Sequence, residues 1–457
     1  MHIVVVGCGL AGLTVAIALQ RGGHTVEMLE SAPAISYIGA GIQVSPNSSR
    51  ILRKLGVDKY IEKYCTEPID LKMMRWKNGQ VLVECPLKQP AHEEYGSPYW
   101  HIHRADLHRG LLECATDLGI KTHLDSRVID VDPYAPALTV KGGKTYKADL
   151  IVASDGLHSM CRHYVLGRKG SPIPTGQMVY RVTLPARKLA GIPELKDLIT
   201  TPRNNHWIGP YGTILSYLLE GVNDTLVNFV FTCDVDRPDG KRMEDGVNQR
   251  TGTNEEVRKA FKDWDPRIDM MLEHVTEVLE WRLYTHKELP SWVHGSGKMC
   301  LIGDAAHAMT PYLAQGAAMG IEDSAILGGL LSRYPQKETL HETLKVYESL
   351  RLKRTAKVAA ASISSRHFTQ MDDGPAQMDR DKYLLEHPGI WEGHRNIRSQ
   401  KEFLDELFGY NAYAELEKVS LKQSPRNVDG NQMLQDELSR DARVGGIAEQ
   451  VPLVAAL

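Results

Sequence analysis

The chain has 457 residues, of which 42% are apolar, and its 54 Lys and Arg against 57 Asp and Glu give a formal net charge of −3. This length predicts two or three domains at roughly 150 residues each, and the balanced charge is not typical of a nucleic-acid-binding protein. Seven cysteines without the close pairs of a zinc site argue against a structural metal and favour a reducing, cytoplasmic environment.

A strand, a tight turn, a helix and a second strand are predicted in succession at the start of the chain. Residues 2–7 are rich in β-branched side chains, residues 13–20 have helical composition, and residues 24–30 form a second strand pattern. Glycines interrupt the apolar residues 3–19, which argues against a membrane anchor, and no other segment is long and apolar enough to span a membrane. The pattern therefore predicts a β-α-β unit.

The turn of this unit carries Gly7-x-Gly9-x-x-Gly12, a spacing that binds a dinucleotide when it follows a strand and opens a helix. Gly7 makes the tight turn, Gly9 lets a pyrophosphate approach the backbone, and Gly12 lets the helix pack closely on the strand. Ala11, inside the motif, is a further candidate contact. Glu30 ends the second strand, where its carboxylate can hold two ribose hydroxyls and would repel a 2′-phosphate. We therefore expect bound FAD or NAD rather than NADP.

Two later segments extend this nucleotide-binding pattern. Predicted strands at residues 148–153 and 298–302 are each followed closely by an adjacent glycine and aspartate. Because these pieces lie far apart in the sequence, the dinucleotide domain is expected to be assembled from three separated segments.

The third segment favours FAD over NAD. Asp304, after its strand, suits the ribityl hydroxyls of a flavin, and Gly316 and Ala317 in a loop of small residues would let backbone amides approach the flavin ring. A helix starting near Gly320 would aim its positive end at flavin N1 and O2. FAD needs such a second anchor and NAD does not.

These three motifs, together with the run at residues 309–324, resemble the class A FAD-dependent aromatic monooxygenases, and most of all their salicylate-hydroxylase-like branch. The resemblance covers about residues 1–366. It implies tightly bound FAD, NADH or NADPH as a transient co-substrate, and insertion of one oxygen atom from O2 into an electron-rich aromatic ring through a flavin C4a-hydroperoxide. The nicotinamide dinucleotide has no glycine motif of its own, so Asp155 and Arg162 are candidates for its groove, or else they only stabilise a turn.

The resemblance also assigns further FAD contacts. Arg104, in the run at residues 103–107, would lie over the FAD phosphate or ribityl chain. Gly41 and Gln43 would contact the isoalloxazine through their backbone, and the backbone of Val128 would contact the adenine. Without the resemblance, Arg104 is a charge at a helix start and Val128 is a core residue.

Two residues are implied as the catalytic pair. Arg181 and Tyr217 match an arginine and a tyrosine that the family carries on neighbouring strands over the flavin. A guanidinium there can hold a phenolate or a carboxylate, and a phenol can orient the same oxygen or relay its proton. The alternative is a charge at a strand edge and an aromatic residue of the core.

The expected fold class is α/β: a doubly wound, Rossmann-like FAD-binding domain with an inserted β-sheet substrate domain and a C-terminal helical segment. Alternating strands at residues 213–219 and 225–231 predict the inserted sheet. The expected ranges are 1–72, 98–175 and 290–335 for the FAD domain, 73–97 and 176–289 for the substrate domain, 336–422 for the helical segment and 423–457 for a loosely ordered tail.

The reaction itself stays open at this stage. Simple hydroxylation of a phenolic, salicylate-like or heteroaromatic ring, salicylate-type hydroxylation with loss of the carboxylate, and dearomatisation or epoxidation of a polyketide or indole secondary metabolite all use the same cofactor. A halogenase is disfavoured because the W-x-W-x-I-P segment is missing. A non-catalytic, redox-responsive flavoprotein is the remaining alternative. The expected partners are a small aromatic substrate, O2 and NAD(P)H, and the protein is expected to be a monomer or homodimer.

Overall fold

The computed structural model describes residues 1–35, 39–221, 224–235 and 249–421, and the residues up to Lys418 cluster as one unit. The tail expected at residues 423–457 lies outside the described residues. The strands along the chain are β1 His2–Val6, β2 Thr25–Leu29, β3 Gly41–Val44, β4 Asp70–Arg75, β5 Val81–Pro86, β6 Trp100–His103, β7 Lys121–His123, β8 Val128–Asp132, β9 Ala137–Val140, β10 Thr145–Lys147, β11 Leu150–Ala153, β12 Ile173–Pro185, β13 Asn204–Gly209, β14 Gly212–Glu220, β15 Thr225–Asp234, β16 Gln249–Thr253, β17 Glu277–Thr285 and β18 Met299–Leu301.

Helices cover the faces of the sheets and form most of the C-terminal part of the described chain. They are α1 Leu10–Arg21, α2 Pro46–Lys54, α3 Asp58–Ile61, α4 Lys88–Glu93, α5 Arg104–Asp117, α6 Cys161–Leu166, α7 Lys196–Thr200, α8 Asn254–Ala260, α9 Pro266–Leu272, α10 Asp304–His307, α11 Gly316–Arg333, α12 Leu340–Thr369, α13 Pro375–Glu386, α14 Lys401–Phe408 and α15 Ala412–Glu417. None of the described helices combines the length and the apolarity that crossing a membrane requires.

The predicted β-α-β unit forms the centre of a five-stranded parallel sheet with the order β18-β11-β1-β2-β7. Val4 and Val5 are fully buried, as expected of a central strand covered on both faces. The two later motifs follow β11 and β18. Strand β11 pairs in parallel with β1, and β18 pairs in parallel with β11. All three motifs therefore follow the carboxyl ends of adjacent strands and meet at one edge of the sheet.

The inserted sheet has eight strands in the order β16-β17-β12-β15-β14-β13-β4-β5. One face packs into a hydrophobic cluster that includes Trp207, Phe229 and Phe231. Side chains alternate along a strand, so Asn228 and Val230 lie on the opposite face. The strand β4 starts at Asp70 and pairs with β13, so it extends across the expected border at residue 72.

The C-terminal helical segment packs against the nucleotide-binding part. The longest helix within the expected segment 336–422 is α12, Leu340–Thr369. Helix α11 approaches α1 closely: a Cβ on Gly328 would lie 2.7 Å from Cβ of Ala18. The small residue at this position brings the helix that follows the third motif against the helix that follows the first.

Candidate cofactor and substrate site

The glycines of the first motif have three distinct surroundings. Gly7 has φ of +95°, and a Cβ there would lie 2.6 Å from the carbonyl oxygen of Ser154. A Cβ on Gly12 would overlap the carbonyl oxygen of Gly7 and lie 2.5 Å from Ser154 Oγ, whereas a Cβ on Gly9 would meet no atom within 4 Å. Gly7 and Gly12 are thus required by the protein's own packing, and the space beside Gly9 is free for a ligand.

Glu30 is tied to this turn. One of its carboxylate oxygens accepts a hydrogen bond of 2.9 Å from the backbone N–H of Cys8, and the other accepts one of 2.8 Å from the N–H of Ala32. The carboxylate therefore lies beside the glycine turn, at the position predicted for a ribose contact. Val128 begins β8 in a separate three-stranded sheet.

A cavity of about 410 Å³ lies between the glycine turn, the third motif and the inserted sheet. It brings together most of the residues singled out in the sequence. Gly7, Gly12, Glu30, Val128 and Asp155 do not line it. The predicted residues that do are Gly9, Ala11, Gly41, Gln43, Arg104, Arg181, Tyr217, Asp304, Gly316 and Ala317.

Arg104 and Asp304 face this cavity with opposite charges. The backbone N–H of Arg104 donates to the carbonyl of Ala40 at 3.0 Å, which fixes the start of α5 against the loop before β3. Burial lowers the pKa of Arg104, and the carboxylate of Asp304 counteracts this shift. A cation and an exposed carboxylate are therefore available for the phosphate and the ribityl hydroxyls of FAD, respectively.

Gly41 contacts the substrate sheet as well as the cavity. Its N–H donates to Asn228 Oδ1 at 2.8 Å, and a Cβ on Gly41 would lie 2.5 Å from Tyr217 Cε2. The N–H of Gly41 is therefore already used, which leaves its carbonyl for a cofactor. Gln43 accepts a hydrogen bond of 2.7 Å from the Tyr99 hydroxyl through its side chain.

The helix after the third motif starts at Gly316, so the predicted start near Gly320 is wrong. Ala314 has φ of +55°, which ends the preceding turn, and Gly316 and Ala317 then continue as the first helical turn. Small residues such as Gly316 and Ala317 are compatible with a helix as well as with a loop. Further along the same helix, Gly320 leaves room for Ala11, because a Cβ on Gly320 would lie 2.9 Å from the Ala11 Cβ. Gly316 and Ala317 line the cavity, and the first N–H groups of a helix have no partner within the helix.

A buried group of charges supports the third motif from behind. Asp323 accepts hydrogen bonds from the Gly303 N–H at 2.9 Å, from His307 at 2.5 Å and from Arg351 at 2.8 Å. Burial raises the pKa of Asp323, but His307 and Arg351 outweigh it and lower the pKa to about 2. The same arginine bonds to Glu322 at 2.6 Å. His307 therefore serves as a hydrogen-bonding partner that helps to hold Asp323 in place.

The second motif is tied down by its own side chains. Asp155 accepts a hydrogen bond of 2.5 Å from Ser159 Oγ and one of 3.0 Å from the N–H of Cys161. Arg162 is 1% exposed and donates to the carbonyls of Ala305 and Asp304 at 2.7 and 2.9 Å. The hypothesis that Arg162 lies in a surface groove is wrong, because its guanidinium is buried and its hydrogen bonds connect the second motif to the third.

Arg181 and Tyr217 lie on the face of the inserted sheet that lines the cavity. The Arg181 guanidinium carbon is 5.2 Å from the centre of the Trp281 ring, and its buried Nε has no hydrogen-bond partner. Burial lowers the pKa of Arg181, and Tyr217 opposes this. Burial raises the pKa of Tyr217, which is 2% exposed, so its hydroxyl stays a neutral donor.

Sequence reasoning missed several residues of this face. Leu215 and Val230 are paired across β14 and β15 and form an apolar floor between the arginine and the tyrosine. Asn228, opposite Tyr217, and the buried His101, whose ring centre is 4.3 Å from that of Tyr217, were also missed. The alternation within the predicted strands would have placed Leu215, Val230 and Asn228 on one face. His101 carries no comparable signal because its contact is long-range.

Comparison with known proteins shows what class of protein this fold and cavity define. Residues 1–362 match the FAD binding domain family, and the chain belongs to that family. It is 34% identical over 417 residues to the FAD-dependent monooxygenase OpS4 of Beauveria bassiana, covering 91% of this chain and 96% of the relative. It is 33% identical over 383 residues to the 3-amino-4-hydroxybenzoate 2-monooxygenase PtmB3 of Streptomyces platensis, covering 84% of this chain and 92% of that one.

The fold is shared with a solved structure of a salicylate hydroxylase substrate complex, with a TM-score of 0.74 and 22% identity over 92% of this chain and 99% of the other chain. The protein is therefore a flavin-dependent monooxygenase with FAD as its cofactor and NAD(P)H as the co-substrate typical of its family. The space beside Gly9 and the first turn of α11 fit FAD, which supplies electron transfer from NAD(P)H and activation of O2 when bound.

Proposed function

We propose that this monooxygenase hydroxylates a phenolic or related hydroxy-aromatic ring that is held between Arg181 and Tyr217. The observation that supports the proposal is that these two side chains flank the apolar floor of Leu215 and Val230 within the cavity that also contains the FAD-motif residues. An aromatic ring on this floor would be held by apolar contact, with its oxygen substituent between a cation and a hydroxyl donor.

Arg181 would favour the ionised form of the substrate oxygen. No carboxylate of the described residues lies within ion-pair distance of its guanidinium, so a phenolate or a carboxylate would provide the missing partner. An ionised phenol is more electron-rich and reacts more readily with an electrophilic oxygen donor. Tyr217, kept neutral by burial, would donate to the same oxygen and fix the orientation of the ring.

The walls of the cavity would keep water from the reacting atoms. Leu215 and Val230 lie below the ring, and Met309 and Pro311 lie beside it, in the segment that precedes α11. Exclusion of water matters because water diverts the activated oxygen to hydrogen peroxide. The name of one relative gives 3-amino-4-hydroxybenzoate as its substrate, and this compound is a hydroxy-aromatic ring of the proposed kind.

The test is NAD(P)H oxidation by the FAD-loaded enzyme against salicylates, phenols, hydroxypyridines and indoles, with mass spectrometry of the products. Gain of one oxygen identifies simple hydroxylation, and gain of oxygen with release of CO2 identifies the decarboxylative reaction. Arg181→Ala should reduce product formation at least tenfold and leave FAD content unchanged, while Arg187→Ala, at an exposed position just beyond the same strand, should change neither. Equal loss of product and FAD in Arg181→Ala would show a structural role.

The cellular location and the oligomeric state of the enzyme are part of the same proposal. The seven cysteines are scattered along the sequence without a close C-x-x-C pair, which fits a reducing, cytoplasmic location. We expect a monomer or a homodimer, and light scattering of the purified holoenzyme distinguishes the two.

A further inference from the structure

A second cavity lies next to the first, on the other side of the hydrogen bond between Tyr99 and Gln43. Its free volume is about 40 Å³, which is enough for a small polar group. Most of its lining is apolar, and α14 contributes four of these residues, from Phe403 to Phe408. Four of its lining side chains carry a polar group: Tyr95, Tyr99, Asn204 and Arg398. Arg398 belongs to the C-terminal segment, which the sequence did not connect with substrate binding.

The polar groups of this second cavity are incompletely satisfied. Arg398 donates through Nη2 to the carbonyl oxygen of Tyr312, while its buried Nε has no hydrogen-bond partner. Asn204 is 1% exposed, and its Oδ1 also has no partner. Among the described residues, no carboxylate lies within ion-pair distance of Arg398. Arg398 is partly buried, and leaving its enclosed Nε unpaired is costly, which indicates that the partner comes from a ligand.

Only a thin wall separates the two cavities. The Tyr99 hydroxyl donates to Gln43 Oε1 at 2.7 Å; Tyr99 lines the second cavity and Gln43 lines the first. Leu313 and Ala314 are consecutive residues that line the second and the first cavity, respectively. The Tyr99–Gln43 pair is therefore part of the wall between the two cavities.

The distance across the sheet limits what could occupy both cavities. Arg181 lies on β12 and Asn204 on β13, and β15 and β14 lie between these strands. Three strand spacings of about 4.8 Å separate the two backbones by about 14 Å. The long side chain of Arg181 shortens this gap, but a carboxylate attached directly to the ring would remain near the first cavity.

We propose that Arg398 and Asn204 form a subsite for the carboxylate of an extended substrate, a hydroxyaryl acid with a spacer of two or more carbons between ring and acid. This inference rests on the proposed function: the ring lies on the floor between Arg181 and Tyr217, and the acid passes Tyr99. The guanidinium of Arg398 supplies the positive charge. The Asn204 amide presents its NH2 group to the second carboxylate oxygen after rotation about its last bond.

Ligand binding tests the subsite without turnover. The oxidised, FAD-loaded enzyme is titrated with 3-(4-hydroxyphenyl)propanoate, with the corresponding neutral alcohol and with 4-hydroxybenzoate, and binding is followed by calorimetry and by the visible absorbance of the flavin. We expect the extended acid to bind at least tenfold more tightly than the alcohol and than the hydroxybenzoate. Equal affinities of the acid and the alcohol would overturn the subsite.

Two variants locate the effect. Arg398→Met should abolish the preference for the acid over the alcohol, and Arg398→Lys should retain part of it. Arg395→Met is the matched control, because Arg395 lies in the same segment, is half exposed and pairs with Asp379 at 2.7 Å; it should keep the full preference. An unchanged preference in Arg398→Met would assign the selectivity to another residue and overturn the proposal.

A third variant covers the case in which Arg398→Met does not fold or does not load FAD. Asn204→Asp places a negative charge in the second cavity, so the alcohol should then bind more tightly than the acid. No reduction of the preference would overturn the subsite. The two proposals can fail separately. Absence of oxygenated product from every phenol tested would refute the proposed function, whereas oxygenation of phenols without any preference for extended acids would refute only the subsite.

Discussion

Substitution of Gly9 and of Gly12 by alanine should separate cofactor binding from folding within a single motif. Gly9 has φ of −72° and ψ of −179°, an extended conformation that any L-residue adopts, and its Cβ would meet no protein atom within 4 Å. Alanine at Gly9 should therefore leave the FAD-free protein as stable as before, or up to about 1 kcal/mol more stable through the lower entropy of the unfolded chain. The added methyl would, however, occupy the path of the pyrophosphate.

The same substitution at Gly12 meets the protein itself. The new Cβ would overlap the carbonyl oxygen of Gly7 and approach Ser154 Oγ to 2.5 Å, so the backbone of the turn has to move. Overpacking of this kind costs about 1–3 kcal/mol, and more where backbone cannot yield. The gain in helix propensity of about 1 kcal/mol offsets part of this. We expect a net loss of about 1–2 kcal/mol in unfolding free energy.

Urea unfolding of the FAD-free proteins and fluorescence titration with FAD provide the two measurements. Gly9→Ala should weaken FAD binding at least tenfold, equivalent to about 1.4 kcal/mol, with an unchanged urea midpoint. Gly12→Ala should lower both the FAD affinity and the midpoint. A destabilised FAD-free Gly9→Ala protein, or one that binds FAD with native affinity, would refute the assignment of the open space beside Gly9 to the cofactor.

Three further predictions test other parts of the site. Gly41→Ala should lower the free energy of unfolding by about 1–3 kcal/mol, because the added Cβ would lie 2.5 Å from the Tyr217 ring. In a double-mutant cycle, adding Tyr217→Ala should recover part of this loss, and additive effects would contradict the contact. Burial lowers the pKa of His101 to about 3, so the folded protein binds fewer protons than the unfolded chain. The free energy of unfolding therefore falls as the pH decreases below 6.5, by about 1.4 kcal/mol at pH 5.5. His101→Gln should remove this part of the pH dependence of urea unfolding, and an unchanged slope would argue against a buried neutral imidazole. Arg351→Met should lower the free energy of unfolding, measured in urea, by about 3–5 kcal/mol, because it leaves the buried carboxylates of Glu322 and Asp323 underpaired. Lys353→Met, at an exposed position, should leave this free energy unchanged. Similar losses in both variants would contradict the role of the buried pairs.

The pH dependence of catalysis is a separate matter from that of stability. Neither His101 nor Tyr217 is expected to ionise in the neutral range, because burial lowers the pKa of the imidazole and raises that of the phenol. Any titration near neutral pH in the turnover of the enzyme should therefore belong to the substrate or to another group. A profile that disappears in His101→Gln would contradict this.

Local patterns in the sequence were sufficient for the elements that bear the cofactor motifs. The strands β1, β2, β11 and β18 were all predicted, with ends one or two residues too long, because β-branched runs bounded by glycine depend mainly on their own composition. The start of α11 was misjudged, because small residues are compatible with both loop and helix and only the left-handed Ala314 before them decides where the helix begins.

Contacts between distant segments were beyond local patterns. The bond from the N–H of Gly41 to Asn228, the burial of Arg162 between two motifs and the pairing of Arg351 with Glu322 each join residues far apart in the chain. No periodicity in the sequence encodes such pairs, because each depends on how separately formed elements pack. The same holds for Arg398, which is an ordinary charged residue in sequence and a partly buried cation that lines a cavity beside the substrate sheet in the structure.

By itself, the sequence determined the class of protein: three glycine and aspartate motifs, each after a strand, specify a dinucleotide cradle because backbone conformation and ligand approach require those residues locally. Tertiary structure alone decided which side chains share the substrate cavity. The register of β12, β15, β14 and β13 sets Arg181, Val230 and Leu215 in one row across the sheet. The packing of the C-terminal segment then adds Arg398. Register and packing are properties of the assembled sheet, so they follow from the whole chain and not from any one segment.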